Sequence, residues 1–306
     1  MMVYVNEILG YLTDIGIRAH YYGKRDLQIE GFSSVSDMKA RTVTWLRKYD
    51  QNCIIAIQGL SNMLLVTTQE VYGYVERGNV LVVERPKMCF FEIIKQFFLE
   101  KKTGEISKTA VVKTDKLGRN VCIGEHCTIG EDVIIGNNVI IKENAQIEGV
   151  VEIGDNTIIS PGVVIGSDGF GYYRDIKGRN TAVPHVGGVK IGTHVDIGAN
   201  TCIDRGTIND TVIGSYTKID NLCHIGHNVQ IGYNVFIIAL SMIGGSAIIE
   251  DEVYVAPGVK IMDHITVGKN AFIGMGAVVT KDVGENDVVA GVPAQVIRKR
   301  RDGDRE

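Results

Sequence analysis

The segment Ile219-Asp220-Asn221-Leu222-Cys223-His224-Ile225-Gly226-His227-Asn228-Val229-Gln230-Ile231-Gly232 places an isoleucine at every sixth position, at 219, 225 and 231. The same frame governs most of the chain. Upstream it runs through ten consecutive hexads from Val111 to Ile165, breaks at Ser167, and returns at Ile191, Ile197 and Ile203. Four residues are then skipped, and from Ile213 the frame continues unbroken to Val279. Gly usually follows the aliphatic residue, and a small or β-branched residue usually stands four places on. Sustained self-similarity of this kind marks a solenoid.

A six-residue period fits neither a lone amphipathic helix nor an ordinary hairpin. It does fit a short strand plus a tight turn, one side of a triangular coil, so that three hexads close one coil and the chain makes about eight. The aliphatic residues point into the prism, and Gly, Asn or Asp accepts the turn at each corner. The spacing therefore predicts a parallel β-helix over residues 106–284. Residues 1–105 read as a separate α/β unit, and 285–306 as a short C-terminal tail, charged and mobile after Pro293. Within the first unit, Met2–Ile15 has helical spacing, Cys53–Ile57, Met63–Thr67 and Val80–Val83 read as strands, and Pro86 opens a helix over Lys87–Lys101 with Lys101 and Lys102 at its end.

The bulk properties exclude several function classes. The 306 residues carry 32 Lys plus Arg against 36 Asp plus Glu, a formal net charge of −4. That balance does not suit a nucleic-acid binder, and the run Arg298-Lys299-Arg300-Arg301 reads as a solvated tail. Apolar runs such as Val235–Leu240 are too short to span a bilayer, and no basic segment followed by an apolar one opens the chain. The expectation is a cytoplasmic protein without membrane insertion. The six cysteines include no CxxC pair and read as reduced, with Cys127 and Cys223 at repeat positions that suit packing.

The breaks matter because a solenoid tolerates insertions at its corners, where they fold out over a binding face. The insertion 167–188 contains Asp168-Gly169-Phe170-Gly171-Tyr172-Tyr173 and Pro184-His185. It reads equally as a plain surface hairpin and as a substrate-contacting loop, with Asp168 and Phe170 as candidate contacts.

With these residues in hand the chain resembles the UDP-3-O-(3-hydroxyacyl)glucosamine N-acyltransferases of lipid A synthesis. The resemblance rests on Trp45 and Tyr49, the Pro86 helix, Gly166-Ser167-Asp168-Gly169-Phe170-Gly171-Tyr172, Ile203-Asp204-Arg205-Gly206, Ile219-Asp220-Asn221, Ile225-Gly226-His227-Asn228 and Gly291-Val292-Pro293. It implies a left-handed β-helix and a homotrimer that binds a nucleotide-linked amino sugar through the N-terminal domain. It also implies an acyl thioester, from coenzyme A or acyl carrier protein, with its pantetheine arm between neighbouring β-helices, and no permanently bound cofactor or metal. Family members of the lipid A branch continue into a helical extension where this chain reaches Glu306, and usually read Gln-Ile-Ala-His where this chain has His224-Ile225-Gly226-His227. These departures bring in a coenzyme A thioester and a different amino sugar, for surface-glycan synthesis.

N-acylation needs a base to take a proton from the amine and a donor to hold the developing oxyanion. A histidine, with an unperturbed pKa near ~6.5, suits the first task. An isolated His in a repeat is more often structural, but the motif around His227 points to the general base. By resemblance Gly245 supplies the oxyanion-binding amide and His264 positions the thioester. Asp220 and Asn221 suit sugar hydroxyls or imidazole orientation, although Asx residues at corners also serve their own backbone. Trp45 and Tyr49, four apart, suit either the core or a nucleobase sandwich, and the resemblance favours binding. His224 reads as surface, and His20, His126, His185 and His194 carry no assignment. The alternative of a different class is a zinc-dependent β-helix of the carbonic-anhydrase kind, with His224 and His227 among its ligands.

Overall fold

A computed structural model of the chain describes residues 2–60, 62–100 and 104–301. The chain divides into two compact units, Met1–Lys101 and Lys102–Glu306.

The first unit is α/β. Its five-stranded sheet runs in the order Ala19–Tyr22, Asn79–Val83, Leu64–Thr67, Thr42–Leu46, Gly31–Phe32. The first pair is antiparallel and the others are parallel. The helices Val5–Asp14 and Pro86–Phe97 bury Ile8, Leu12, Cys89, Phe90 and Ile93 in one core with sheet residues such as Leu64, Val66 and Leu81. Proline suits the first turn of the second helix because its missing N–H would be unbonded there anyway. Lys101 and Lys102 lie outside the described residues.

Cys53–Ile57 is not the strand that its composition suggests but part of the helix Gln51–Gly59. The Asp50 carboxylate caps it by accepting from the Cys53 N–H at 2.9 Å. Ile54 and Ile57, one helical turn apart, are buried, while Ile55 between them is exposed. A run of aliphatic residues cannot by itself tell the two periods apart.

The second unit is a left-handed parallel β-helix with sheets of nine, seven and ten strands. Strands two to four residues long stack coil upon coil, as in Ile219↔Ile237 and Ile225↔Ile243. The inward isoleucines, among them Ile129, Ile147, Ile165, Ile225, Ile243 and Ile261, are completely buried in one continuous core. Each contributes roughly 1.5–3 kcal/mol by leaving water. Cys127 and Cys223 are buried in the same core, and all six cysteines are free thiols. The corners use left-handed backbone, as at Asn120, Asn138 and Asn156, whose φ values are 57°, 56° and 57°. Asparagine tolerates that region better than other non-glycine residues. Its amide then serves the stack: Asn120 Nδ2 donates to Asn138 Oδ1, and Asn138 Nδ2 to Asn156 Oδ1, both at 3.1 Å.

The last coils end differently from the expected mobile tail. Gln295–Lys299 turns back as a strand antiparallel to Asp287–Ala290, and Lys299 Nζ meets Asp287 Oδ1 at 2.7 Å. The turn at Gly291–Ala294 ends the coil, and the reversed chain then covers the open edge of Asp287–Ala290, which would otherwise expose unpaired backbone.

Candidate active site

His227 follows the two-residue strand His224–Ile225, on the corner that the hexad frame assigns it. Coils there lie one strand spacing apart, about 4.8 Å, and the Ser246 N–H donates to the His227 carbonyl at 2.8 Å. Gly245 is thereby stacked directly on the imidazole: a Cβ at 245 would stand 2.8 Å from both Cε1 and Nε2 of His227. Only a residue without a side chain allows this approach.

The other edge is held by Asn228 and Thr207. Asn228 Oδ1 accepts from the Thr207 N–H at 2.7 Å, which turns Nδ2 toward the ring and places it 3.1 Å from His227 Nδ1. Thr207 Oγ1 lies 3.5 Å from the same nitrogen. In the resting arrangement Nδ1 accepts from the Asn228 amide, and the neutral ring carries its proton on Nε2. The tautomer with a free Nε2 lone pair uses the Thr207 hydroxyl as acceptor for Nδ1–H. Burial pushes the His227 pKa below its ordinary 6.5, and the neighbouring His185, His264 and His224 reinforce the shift against Asp263. Partial burial disfavours the charged ring, so the imidazole stays neutral at neutral pH.

Both breaks in the hexad frame converge here. Away from the two ends of the solenoid the strand pairing otherwise advances eighteen residues per coil, but Val195 and Thr157, bonded across one step, are 38 apart, and Thr193 and Ser215 are 22 apart. The longer insertion carries the antiparallel hairpin Tyr172–Arg174 and Asn180–Ala182 and folds over the corner. A Cβ at Gly169 would stand 2.7 Å from His227 Cβ and 2.8 Å from its Cδ2. The shorter insertion supplies Thr207, and its carbonyls at 206 and 207 accept from Gly187 and Val186 at 3.0 and 2.8 Å. His185, unassigned from sequence, is thereby placed with its ring centroid 5.4 Å from that of His227. The sequence signal that could have found it is the pairing of the two irregularities, since a frame break of four residues beside one of twenty gives the returning loop something to bond.

The Gly245 N–H meets no acceptor among the described residues. In other coils the carboxylate one coil on takes the equivalent donor, as Asp155 does for Asn137 and Asp251 for Tyr233, both at 2.7 Å. Asp263 stands one coil beyond Gly245, and its Oδ2 lies 4.0 Å from His264 Nε2. His264 itself sits on the left-handed corner with φ of 57°, exposed and in line with Ser246 and Asn228 rather than with His227.

The remaining candidates are distributed as follows. Asp220 accepts from the Asn221 N–H at 2.7 Å and the Ala239 N–H at 3.2 Å, and Asn221 Oδ1 from the Ala199 N–H at 2.6 Å. Their polar atoms hold the corner backbone, and Asn228 and Thr207 take the imidazole contacts instead. Asp168 is exposed, and Phe170, 87% exposed, packs on Tyr172 with centroids 4.9 Å apart. His224 lies 3.6 Å from Asp204, a carboxylate buried to 6% exposure. Burial raises the Asp204 pKa, Asp168 adds to the rise, and His224, His185 and the Ser167 hydroxyl oppose it. In the first unit Trp45 is half-buried against the core, and the exposed Tyr49 packs on Tyr74 at 4.4 Å. As for a metal, no group of three or more His, Cys, Asp or Glu side chains converges among the described residues.

The model of the bacterial transferase hexapeptide family (six repeats) matches residues 116–149, 132–167 and 246–281. The UDP-3-O-acylglucosamine N-acyltransferase 2 of Rhodopseudomonas palustris (strain BisB18) is 45% identical over 148 residues, 48% of this chain and 39% of that protein. The chain carries the hexapeptide repeat and is similar to N-acyltransferases. A second such relative, the probable mitochondrial UDP-3-O-acylglucosamine N-acyltransferase 2 of Arabidopsis thaliana, is 42% identical over 149 residues, 49% of each chain. The match thus spans half or less of the length of these relatives. Among solved structures, a UDP-N-acetylglucosamine acyltransferase from Campylobacter jejuni superposes with a TM-score of 0.57 at 25% identity, over 66% of this chain and 80% of that one. The hexapeptide scaffold and its parallel coils are therefore shared with acyltransferases of nucleotide-linked sugars. No helix among the described residues is long and apolar enough to cross a membrane.

Proposed function

We propose that the chain is an N-acyltransferase that moves an acyl group from a thioester to the amine of a nucleotide-linked amino sugar, for lipid A or surface-glycan synthesis. The observation that carries this reading is the pairing of a neutral, partly buried imidazole with an unbonded glycine amide on the next coil. His227, in the tautomer whose Nδ1–H is held by the Thr207 hydroxyl, takes the proton on its free Nε2 as the amine attacks the thioester carbonyl. General base catalysis by a positioned His contributes about 10²–10⁴-fold. The Gly245 N–H donates to the oxygen on which charge develops, worth roughly 10²–10³. Collapse expels the thiolate, and the imidazolium returns a proton to it.

The thioester arm fits the groove of about 650 Å³ beside the base, where Ile208 and Ile248 offer apolar surface and Asn228, Gln230 and Ser246 offer polar groups. His264, projecting from the same corner column as Ser246, is suited to the arm's polar atoms. Asp168 and Phe170 on the folded-over loop are assigned to the sugar side, and Trp45 and Tyr49 of the first unit to the nucleobase. The enzyme works as a cytoplasmic homotrimer, because a lone β-helix offers a convex corner and a neighbouring one turns it into a cleft. The donor is coenzyme A or acyl carrier protein, and no resident cofactor is needed for the proton steps described.

The test is thiol release by the purified chain with UDP- and dTDP-linked amino sugars and acetyl, short hydroxyacyl and long hydroxyacyl thioesters on both carriers. Turnover by the parent and its loss in His227→Ala is the expected result. An alanine variant as active as the parent would overturn the assignment of the base.

A further inference from the structure

We propose that Gln230 is a binding residue for the acyl donor, whose side-chain Oε1 accepts a hydrogen bond from an amide N–H of a pantetheine-type thioester arm. The inference rests on the acyl-transfer reading above and names the atom that recognises the donor.

The orientation of the Gln230 carboxamide follows from its local bonds. One end of it lies 2.8 Å from the carbonyl of Asp210 and 3.3 Å from that of Asn228. Carbonyls only accept, so this end is Nε2 and its hydrogens are spent on the backbone. Oε1 is the free end, and it meets no donor among the described residues. The bond to the Asn228 carbonyl draws the group back toward the corner that carries His227. The acceptor is therefore held in place before any ligand arrives, which lowers the cost of binding.

The groove gives a ligand room to reach it. Gln230 lines the cleft of about 650 Å³ together with Asn228 and Ser246, and it is only partly buried, pointing outward on its strand. Its neighbours in the stack are Val212 on one coil and Ile248 on the next. Ile248 and Ile208, which line the same cleft, are exposed. Apolar side chains around a few fixed polar groups are the usual lining of a small-molecule site.

The chemistry of the cleft selects its occupant. Lys190 and Asp210 line it as an ion pair at 2.8 Å, and Asp210 also accepts from the Gly188 N–H at 2.8 Å. Each charge is thus answered by the other, and neither selects a phosphate or an ammonium. Asn228 spends its carboxamide on Thr207 and His227. The Gln230 acceptor, set between aliphatic side chains, suits a neutral chain of amides separated by methylenes. A pantetheine arm is such a chain, and it is common to coenzyme A and acyl carrier protein.

The experiment measures steady-state kinetics of the full chain, Gln230→Met and Gln230→Lys, with the amino sugar and acyl group that the parent turns over best. The donors are S-acyl pantetheine and its analogues in which each amide N–H in turn is replaced by an ester oxygen. Gln230→Met removes the acceptor and the donations to the backbone, whereas Gln230→Lys keeps a donor for the Asp210 carbonyl. The parent is expected to use one oxygen analogue about tenfold less well in kcat/KM. Both variants are expected to raise KM for S-acyl pantetheine about tenfold, with kcat and KM for the sugar within about twofold, and to use that analogue as well as the amide. A structural role would lower all donors alike and leave the ratio between them parental. Equal use of all the donors by the parent overturns the assignment, as does a parental ratio in either variant or a rise in KM confined to the amino sugar. Because the ratio is read within one variant, a lowered melting temperature does not imitate the expected result. Failure of the parent to turn over any amino sugar with any thioester is a different outcome: it removes acyl transfer itself.

Discussion

Gly245 and His227, one coil apart, approach so closely that a methyl group on the glycine would touch the imidazole at 2.8 Å from both Cε1 and Nε2. The pair sets the imidazole against a backbone N–H that has no acceptor among the described residues, within one strand spacing.

Gly245→Ala tests this relationship directly. Gly245 is not in the left-handed region, so alanine suits its backbone and the methyl acts on the ring. The variant is expected to fold with a melting temperature within a few degrees of the parent and to lose about 10²-fold in kcat, the scale of a displaced oxyanion donor or base. Parental kcat in a folded variant would remove Gly245 from the mechanism.

The acid limb of the rate profile should lie low. The folded pKa of His227 is depressed below 6.5 by burial first and by the neighbouring histidines second. The working, neutral form therefore predominates at pH 6.5 and above, and kcat/KM should fall as the pH drops through the lower folded value. The linkage has the matching sign: the unfolded chain takes up the proton first, so stability is full above the unfolded value and declines as the pH falls through the folded one. A kcat/KM limb above 6.5 would contradict the assignment.

Asn228→Ala removes the acceptor for the Thr207 N–H and the donor to His227 Nδ1, together with the longer Nδ2 contacts to the Thr207 and Ser246 hydroxyls at 3.3 and 3.5 Å. The expected result is a loss of about tenfold or more in kcat with KM for the amino sugar little changed, because the ring loses its orientation, and a raised KM for the thioester, whose proposed groove Asn228 lines. Stability should fall by about 1–3 kcal/mol in a urea titration, since the Thr207 N–H is left without a partner.

Ile225→Ala probes the scaffold. The side chain is completely buried between coils, so truncation should cost about 2–5 kcal/mol in denaturant unfolding. A solenoid couples each coil chiefly to its neighbours, and the cost should fall hardest on the coil that carries His227. Folded protein at low temperature is expected to retain turnover.

Much of this was readable in the order of residues because the β-helix is a one-dimensional fold. Ile219, Ile225 and Ile231 set the inward face, the hexad frame then sets which residue stands on each corner, and the column 227, 245, 263 follows by counting. The first unit was less legible: Cys53–Ile57 lacks any period long enough to separate strand from helix, and the cap at Asp50 decided it. Asp220 and Asn221 show a related gap, because a corner Asx looks the same whether it faces a ligand or, as here, bonds its own backbone.

The sequence by itself determined the coiled scaffold, the burial of its aliphatic column and the stacking of a glycine on a histidine, since stacked parallel strands convert position modulo the repeat directly into place. Only the tertiary structure decided what lies against that histidine from outside the repeat. Thr207, Gly169 and His185 come from the two segments where the frame fails, and their positions depend on bonds between insertions such as Val186 to Thr207. No period relates those residues, so their meeting is a property of the folded backbone and not of spacing along the chain.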